Sequence, residues 1–310
     1  MRVDVTILGD INVDMITHPI VEYPEKGKQI TVPFIYSSTG GCACNTAIAC
    51  ARLGLKVRLI GKVGDDIFGK YLLKLLKKVG IDSKVRTVRG GHTGITFAIA
   101  FKDMSRSFIT YKGTNDTLCS DDFRKEEIKG SVFVITGFNL LNSLRKDVSL
   151  LFEYAHSRGM KTVLDPNWDP EGWPEKRVRE LYNILKVTDW FFPNVEEARA
   201  ITYTKVERLM VRKLLMLGPK IVCLKMGEKG CLLGDESGIE LIPPFRVASI
   251  NTTGAGDVFL AAFIKYYLMG KPLSQTVRFA SAAGALSTTK MGLERYPTYE
   301  DVMNFMEART

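Results

Sequence analysis

Residues 251–260 read Asn-Thr-Thr-Gly-Ala-Gly-Asp-Val-Phe-Leu. Two glycines flank one alanine, the carboxylate of Asp257 follows at once, and the run from Val258 to Ile264 is wholly apolar, as a buried helix would be. The glycines therefore fall where a helix begins. Backbone N–H groups there lack intrahelical acceptors, and the helix dipole presents its positive end. Glycine lets a ligand approach that backbone closely, so a phosphate or another oxyanion is the natural guest. Asp257 repels such an anion and must do something else: it can accept the proton of a hydroxyl attacking phosphorus. Taken alone, Gly-x-Gly-Asp is equally compatible with glycines that merely turn the chain and an acid that merely favours a first helical turn.

Other polar groups fall where strands end. Residues 3–9 alternate toward a strand and lead into Gly9-Asp10-Ile11-Asn12-Val13-Asp14. Side chains 10, 12 and 14 share one face if the chain stays extended, which suits a polyhydroxylated ligand, although a polar turn would read the same way. Gly40-Gly41-Cys-Ala-Cys-Asn45 opens a helix of small residues, where Asn45 is a polar exception that needs a partner. Gly64-x4-Gly69-Lys70 imitates a P-loop. Tyr71 stands where that loop carries its magnesium hydroxyl, and Asp65 and Asp66 would point negative charge into the cradle. One of these acids instead starts an amphipathic helix over 67–79, with Gly80 at its end.

The elements that must position these groups follow from periodicity. Val57–Ile60 reads as a short strand, Gln29–Ser37 as another, and 93–101 with 106–112 as a hairpin, giving a small separate sheet. After Asn115 the pattern alternates: strand 132–136, helix 144–158, strand 161–165, helix 175–186, strand 189–192, helix 205–217, strand 220–225. Helices at 273–290 and 298–308 close the chain. Such alternation predicts a parallel sheet covered on both faces, with binding residues at the carboxyl ends of its strands. Asp165-Pro-Asn167, Pro193-Asn194-Val-Glu196-Glu197 and Lys225-Met-Gly227-Glu-Lys-Gly230 fall there.

Composition narrows the classes further. The chain has 310 residues, 45% hydrophobic and 25% charged, ordinary for a globular protein with a large core. No apolar run reaches the roughly 18–20 residues of a membrane span. Asp4 interrupts what would be a signal peptide's apolar region, so a cytoplasmic protein is expected. Six cysteines form no Cys-x-x-Cys pair and three histidines are scattered, which reads as reduced, buried thiols and argues against zinc. A net charge of +9 suits anionic substrates. The basic residues are dispersed, and Lys74, Lys77 and Lys78 occupy the polar side of one helix, so nucleic-acid binding is not expected.

Six stretches, in order, resemble the ribokinase-like (PfkB) carbohydrate kinases over essentially the full length. They are Gly-Asp-x-Asn-x-Asp at 9–14, Gly-Gly-x3-Asn at 40–45, Gly-Lys-Val-Gly-Asp-Asp-x-Phe-Gly at 61–69, Asn-x-x-Glu at 194–197, Lys-x-Gly-x-x-Gly at 225–230 and Thr-x-Gly-Ala-Gly-Asp at 252–257. The resemblance implies one α/β domain over residues 1–310: a three-layer α/β/α sandwich with a mostly parallel central sheet and a small β-sheet lid from about 15–39 and 93–112. It implies ATP-dependent phosphorylation of a hydroxyl on a small sugar or polyol, with a nucleoside as the alternative acceptor. Asp257 is then the catalytic base, with Gly254, Ala255 and Gly256 as the anion hole. Acceptor contacts fall to Asn12, Asp14, Gly41, Asn45 and Asn115. ATP contacts fall to Asn194, Lys225, Gly227, Gly230 and Thr252. Mg²⁺ falls to Asn194 and Glu197, through water. A homodimer through the lid is expected.

Two departures bear on specificity. Asn251 stands where the family usually has Asp, which weakens the case for K⁺ dependence. Cys42 stands where ribokinases tend to have Lys, which moves ribose from first choice. The opening Gly-Asp-Ile-Asn-Val-Asp differs from the Asn-Pro start typical of the phosphosugar branch, which disfavours phosphorylated acceptors. Arg106, in the lid turn, reads as structural.

Overall fold

Strand β1 (Val5–Gly9) is buried along its whole length and lies inside a nine-stranded sheet. The structure, a computed structural model, describes residues 2–103 and 105–309, and all counts refer to them. After β1 come β2 (Asn12–Thr17), β3 (Ile35–Gly40), α1 (Cys42–Arg52), β4 (Val57–Gly64), α2 (Ile67–Lys78), β5 (Asp82–Val88), β6 (Gly94–Ala100) and β7 (Arg106–Tyr111). The middle of the chain runs β8 (Val132–Thr136), α3 (Val148–Ser157), β9 (Lys161–Asp165), α4 (Glu175–Leu185), β10 (Trp190–Phe191), α5 (Val195–Thr202), α6 (Glu207–Met216) and β11 (Ile221–Lys225). Strands β12 (Cys231–Asp235) and β13 (Gly238–Ile242) precede α7 (Ala255–Leu268), α8 (Leu273–Ser287) and α9 (Tyr299–Glu307).

The large sheet has the order β13-β12-β11-β10-β9-β8-β1-β4-β5. It is parallel from β11 to β5, with an antiparallel β12–β13 edge. Alternation sorts its side chains into two layers. Val5, Ile7, Val132, Val134 and Val163 pack with α1, α2, α7, α8 and α9. Leu8, Phe133, Ile135 and Leu164 pack with α3, α4, α5 and α6. This is the expected α/β/α sandwich. The second, four-stranded sheet has the order β3-β2-β6-β7. It begins at Asn12, so the strand bearing Asn12 and Asp14 belongs to it. Among the described residues no helix is long and apolar enough to cross a membrane.

Several sequence boundaries need correction. The strand read at 29–37 exists only from Ile35 onward; Pro33 has no N–H to give a ladder. Strand β4 continues through the glycines to Gly64, because β5 pairs Gly61–Gly64 with Val85–Val88. Strand β5 went unread since its half-exposed Asp82-Ser-Lys-Val-Arg sequence looks like a loop. The helix begun at 144 starts at Val148, after a tighter turn over 145–147. The eight-residue α5 and the β12–β13 hairpin were also missed, and α8 ends at Ser287, not 290.

The P-loop imitation resolves as read. Asp66 caps α2, accepting from Gly69 N–H at 2.8 Å, and also accepts from Thr93 N–H at 2.8 Å and Thr93 Oγ1 at 2.7 Å. The amide a phosphate would need there is already taken, and the acid ties α2 to the strand entering the small sheet. Asp66→Ala is expected to cost about 1–2 kcal/mol, seen as a fall of several degrees in melting temperature by differential scanning calorimetry.

Candidate active site

The carboxyl end of β1 and the start of α1 build one wall. Asp10 accepts from Ala43 N–H at 3.3 Å and from Asn12 Nδ2 at 3.2 Å, which places its charge on the helix dipole of α1. Asn115 is almost fully buried. Its Oδ1 accepts from Ile11 N–H at 3.0 Å, and its Nδ2 donates to Asn12 Oδ1 at 2.7 Å and to the carbonyls of Ile11 and Lys112. Asn12 and Asn115 thus spend their polar atoms on one another and on the β1–β2 junction. Asp14, two residues along β2, is buried in the strand ladder, yet its carboxylate has no hydrogen-bond partner among the described residues. Its carboxylate lies over Gly40, where a Cβ would come within 1.8 Å of Oδ1. Gly41 caps α1 with φ 81°.

The opposite wall is the start of α7. Gly254 is its N-cap, at φ 77°, and a Cβ there would meet the Arg295 guanidinium at 2.6 Å. Both constraints exclude larger residues. Ala255 N–H reaches Thr252 O at 3.3 Å, while the amides of Gly256 and Asp257 have no acceptor among the described residues. Lys225 Nζ lies 3.2 Å from where a Gly256 Cβ would be and donates to Asp165 Oδ2 at 2.7 Å. A fixed cation therefore stands beside two free N–H donors, and an oxyanion fits there. Asn45, from α1, donates Nδ2–H to Asp257 Oδ2 at 2.9 Å and joins the two walls.

Buried carboxylates are crowded around that lysine. Burial first, then the Asp165 charge, push Asp257 up to about 8, against the Asn45 hydrogen bond and the charges of Arg295 and Lys225. Burial raises Glu197 to about 7, with Lys225 opposing and Asp165 adding to the rise. Asp10 rises to about 6 and Asp14 to about 7, burial again leading. Burial alone would lower Lys225, but Asp165, Glu197 and Asp257 together raise it. Perturbed acids packed into one cleft mark functional sites.

Glu197 and Asn194 form a capping box at the start of α5. Asn194 N–H and Nδ2–H donate to the two Glu197 oxygens at 2.8 and 2.7 Å, and Glu197 N–H donates to Asn194 Oδ1 at 2.9 Å. A short bridge puts Asn194 beside Lys225. Among the described residues no three His, Cys, Asp or Glu side chains converge enough to hold a metal. With both Glu197 oxygens and Asn194 Oδ1 engaged in the capping box, these two residues would reach Mg²⁺ through its water rather than as a direct ligand set. Gly227 and Gly230 form the tight turn after β11.

Two residues that line this site, Arg295 and Tyr296, carry no role from the sequence, and a third, Arg106, reads there only as structural. Arg106, at the start of β7, crosses to the anion-binding loop and donates to Thr252 Oγ1 at 3.1 Å and Thr253 Oγ1 at 2.5 Å. Arg295 donates to Thr253 O at 2.9 Å and to Tyr296 Oη at 2.8 Å. Tyr296, fully buried, donates to Asn45 Oδ1 at 2.8 Å. Glu-Arg-Tyr-Pro, between α8 and α9, looks like an exposed linker, and nothing in its spacing signals burial. Asp165 was readable as a strand-end residue but not as the partner of Lys225. No disulfide joins the six cysteines; Cys44, Cys50, Cys223 and Cys231 are buried as expected, while Cys42 and Cys119 are only half-buried.

A buried acid, two open amides and a largely buried lysine stand together at the start of α7. The sequence pattern of the pfkB family carbohydrate kinases matches residues 4–298. A ribokinase of Haemophilus influenzae is 30% identical, over 99% of this chain and 99% of its own. Fructokinase-1 of Zea mays is 30% identical, over 89% of this chain and 90% of its own. An Arabidopsis thaliana ribokinase complexed with ribose and ATP has a TM-score of 0.83 at 24% identity, covering 99% of both chains. The chain belongs to the PfkB family of carbohydrate kinases and is a phosphotransferase with a sugar alcohol group as acceptor.

The raised Asp257 value has a consequence for stability. Its folded value, about 8, lies above the ordinary 3.8, so the folded state holds this proton more tightly than the unfolded chain. Folding is then favoured below the lower value, and that favour is lost as pH rises through the upper one. Asp257→Asn removes this dependence. Its melting temperature is expected to exceed the wild type's by several degrees near pH 8, with the gap narrowing toward about pH 5. A pH series of thermal melts checks this; a gap that stays constant or reverses would contradict it.

Proposed function

We propose that the protein is a cytoplasmic, ATP-dependent kinase that phosphorylates a hydroxyl of a small, uncharged sugar or polyol, with Asp257 as general base. The observation that carries this reading is the pairing of a buried, proton-binding acid with two open amides on the same helix start. The small sheet acts as the lid of a single kinase domain. Asp14 accepts hydrogen bonds from acceptor hydroxyls, and Gly41 and Asn45 complete that side. Asp257 takes the proton of the attacking hydroxyl. The amides at 254–257 and Lys225 hold the transferring oxyanion, with Lys225, Gly227, Gly230, Asn194 and Thr252 on the ATP side. Bound Mg²⁺ would neutralise phosphate oxygens, with Asn194 and Glu197 holding its water.

Ion dependence follows from the loop before α7. Asn251 Oδ1 accepts from Thr253 N–H at 3.0 Å, and the Arg295 guanidinium already binds the Thr253 carbonyl. A neutral amide and a resident cation leave little to attract K⁺. The nucleoside alternative needs a flat apolar surface. Phe101 instead packs edge-on against Tyr23, 5.1 Å between ring centres, and no other observation favours that reading.

Incubation of the purified protein with ATP, Mg²⁺ and a panel of sugars, polyols and nucleosides is expected to give turnover with a sugar or polyol, equally in Na⁺ and K⁺ buffers. Asp257→Asn is expected to lose at least about 10²–10⁴-fold in kcat while still binding ATP by calorimetry. Turnover confined to nucleosides, or an unaffected variant, would refute the assignment.

The lid also supports a homodimer. Phe97, Phe108, Ile109 and Tyr111 are exposed on β6 and β7, as are Phe34 and Ile35 at the other edge. Strand β7 is an edge strand, and an apolar face beside an open edge favours pairing with a second copy. Sedimentation equilibrium is expected to show a dimer that Ile109→Asp converts to monomer; a monomeric wild type would exclude it.

A further inference from the structure

We propose that Arg295 and Tyr296 are positioning residues that lock the Asn45 amide against Asp257 and so present one defined carboxylate oxygen to the acceptor; this rests on Asp257 being the base. The chain of bonds is continuous. Arg295 NH2 donates to Tyr296 Oη at 2.8 Å, Tyr296 Oη donates to Asn45 Oδ1 at 2.8 Å, and Asn45 Nδ2 donates to Asp257 Oδ2 at 2.9 Å. Thr39 Oγ1 lies 3.0 Å from the same phenol oxygen.

The direction of the chain is set by what each group can do. A guanidinium only donates, so it occupies a lone pair of the Tyr296 oxygen and leaves the phenol proton for Asn45. Burial first, against the opposing Arg295 charge, pushes Tyr296 up to about 12, so it stays a neutral donor. With Oδ1 thus engaged, the amide turns its N–H toward Asp257; the reverse orientation would set two acceptors together once Asp257 is ionised, the form in which it acts as a base. Asp257 Oδ2 is held, and Oδ1 has no hydrogen-bond partner among the described residues.

No carboxylate is bonded to the Arg295 guanidinium; its charge acts on Asp257 and Asp14 only at a distance. It is 2% exposed, forms no ion pair among the described residues, and its Nε lacks an acceptor. It bonds Thr253 O and packs 4.7 Å over the Tyr296 ring. The same guanidinium therefore fixes the loop that opens the anion site and the relay that orients the base. The other charged or titratable groups facing Asp257 are Cys42 and Cys44 from α1, Asp165 at the end of β9 and Lys225 at the end of β11. Among the described residues none of these hydrogen-bonds Asn45 or Tyr296, so the relay can be cut without touching them.

Tyr296→Phe removes the hydroxyl and keeps the ring. It is expected to lower kcat by about tenfold to a hundredfold with the KM for ATP unchanged. Losing the ordered Asn45 bond disfavours the charged carboxylate, so the acidic limb of the kcat/KM profile should move up by roughly half a pH unit or more. The ¹³C carboxyl titration of Asp257 by NMR, in the free protein, should move by the same amount. Arg295→Lys keeps a cation without the fork and should give a smaller shift in the same direction; it also serves if Tyr296→Phe does not fold. Folded variants whose profile and titration both coincide with wild type would overturn the relay. Failure of the kinase reading is distinguishable, because it would show as no wild-type turnover while the NMR shift persists.

Discussion

A carboxylate that must take a proton cannot be too stable as an anion, and a pocket that must hold a phosphoryl group cannot be too negative. The structure meets both demands at the first turn of α7. Burial and the Asp165 charge destabilise the ionised Asp257, while Asn45, Lys225 and Arg295 oppose them. The result is an acid whose proton is held up to about pH 8, which suits the base proposed for it. A more exposed acid would be a weaker base. One without its cations would repel the oxyanion held by the adjacent amides.

This balance depends on topology. Parallel strands end on one side of the sheet, so Asp10 after β1, Asp165 at the end of β9, Asn194 after β10 and Lys225 at the end of β11 arrive together without any local signal linking them. Helix α7 packs against α1 and α8, which brings its free amides to the same rim. The small sheet supplies Asp14 from one strand and Arg106 from another, and Arg106 bonds the loop just before those amides. Acceptor-side and phosphate-side groups thus meet only because two sheets converge on one helix start.

What could be read from the chain divides along that line. The layers were legible because α-helical and strand periodicities in the second half are strong, and because the apolar run after Asp257 is unmistakable. Elements without a clear apolar period were not: β5 is half-exposed, α5 is two turns long, and the β12–β13 hairpin sits at an edge. At the site, glycine loops and strand-end polar residues announce themselves by type. Asn12 and Asn115 do so too, yet each proves to be bound to the other, which no local spacing can encode for residues 103 positions apart. Arg295 and Tyr296 carry the opposite lesson. Their types suggest solvent, and only the return of the chain after α8 puts them inside.

Two guanidiniums, the buried Arg295 and the half-buried Arg106, meet at the loop before α7. Arg106 and Arg295 approach the same three-residue stretch, and the Arg295 charge adds to burial in lowering Arg106. Neither has a carboxylate partner among the described residues. On the other flank, Asp165, Glu197 and Asp257 outnumber Lys225. Cations thus gather on the loop before α7 and acids around Lys225, which itself stands beside the open amides where an oxyanion would sit. Such a fixed arrangement costs stability in the empty protein and saves reorganisation when the reaction occurs.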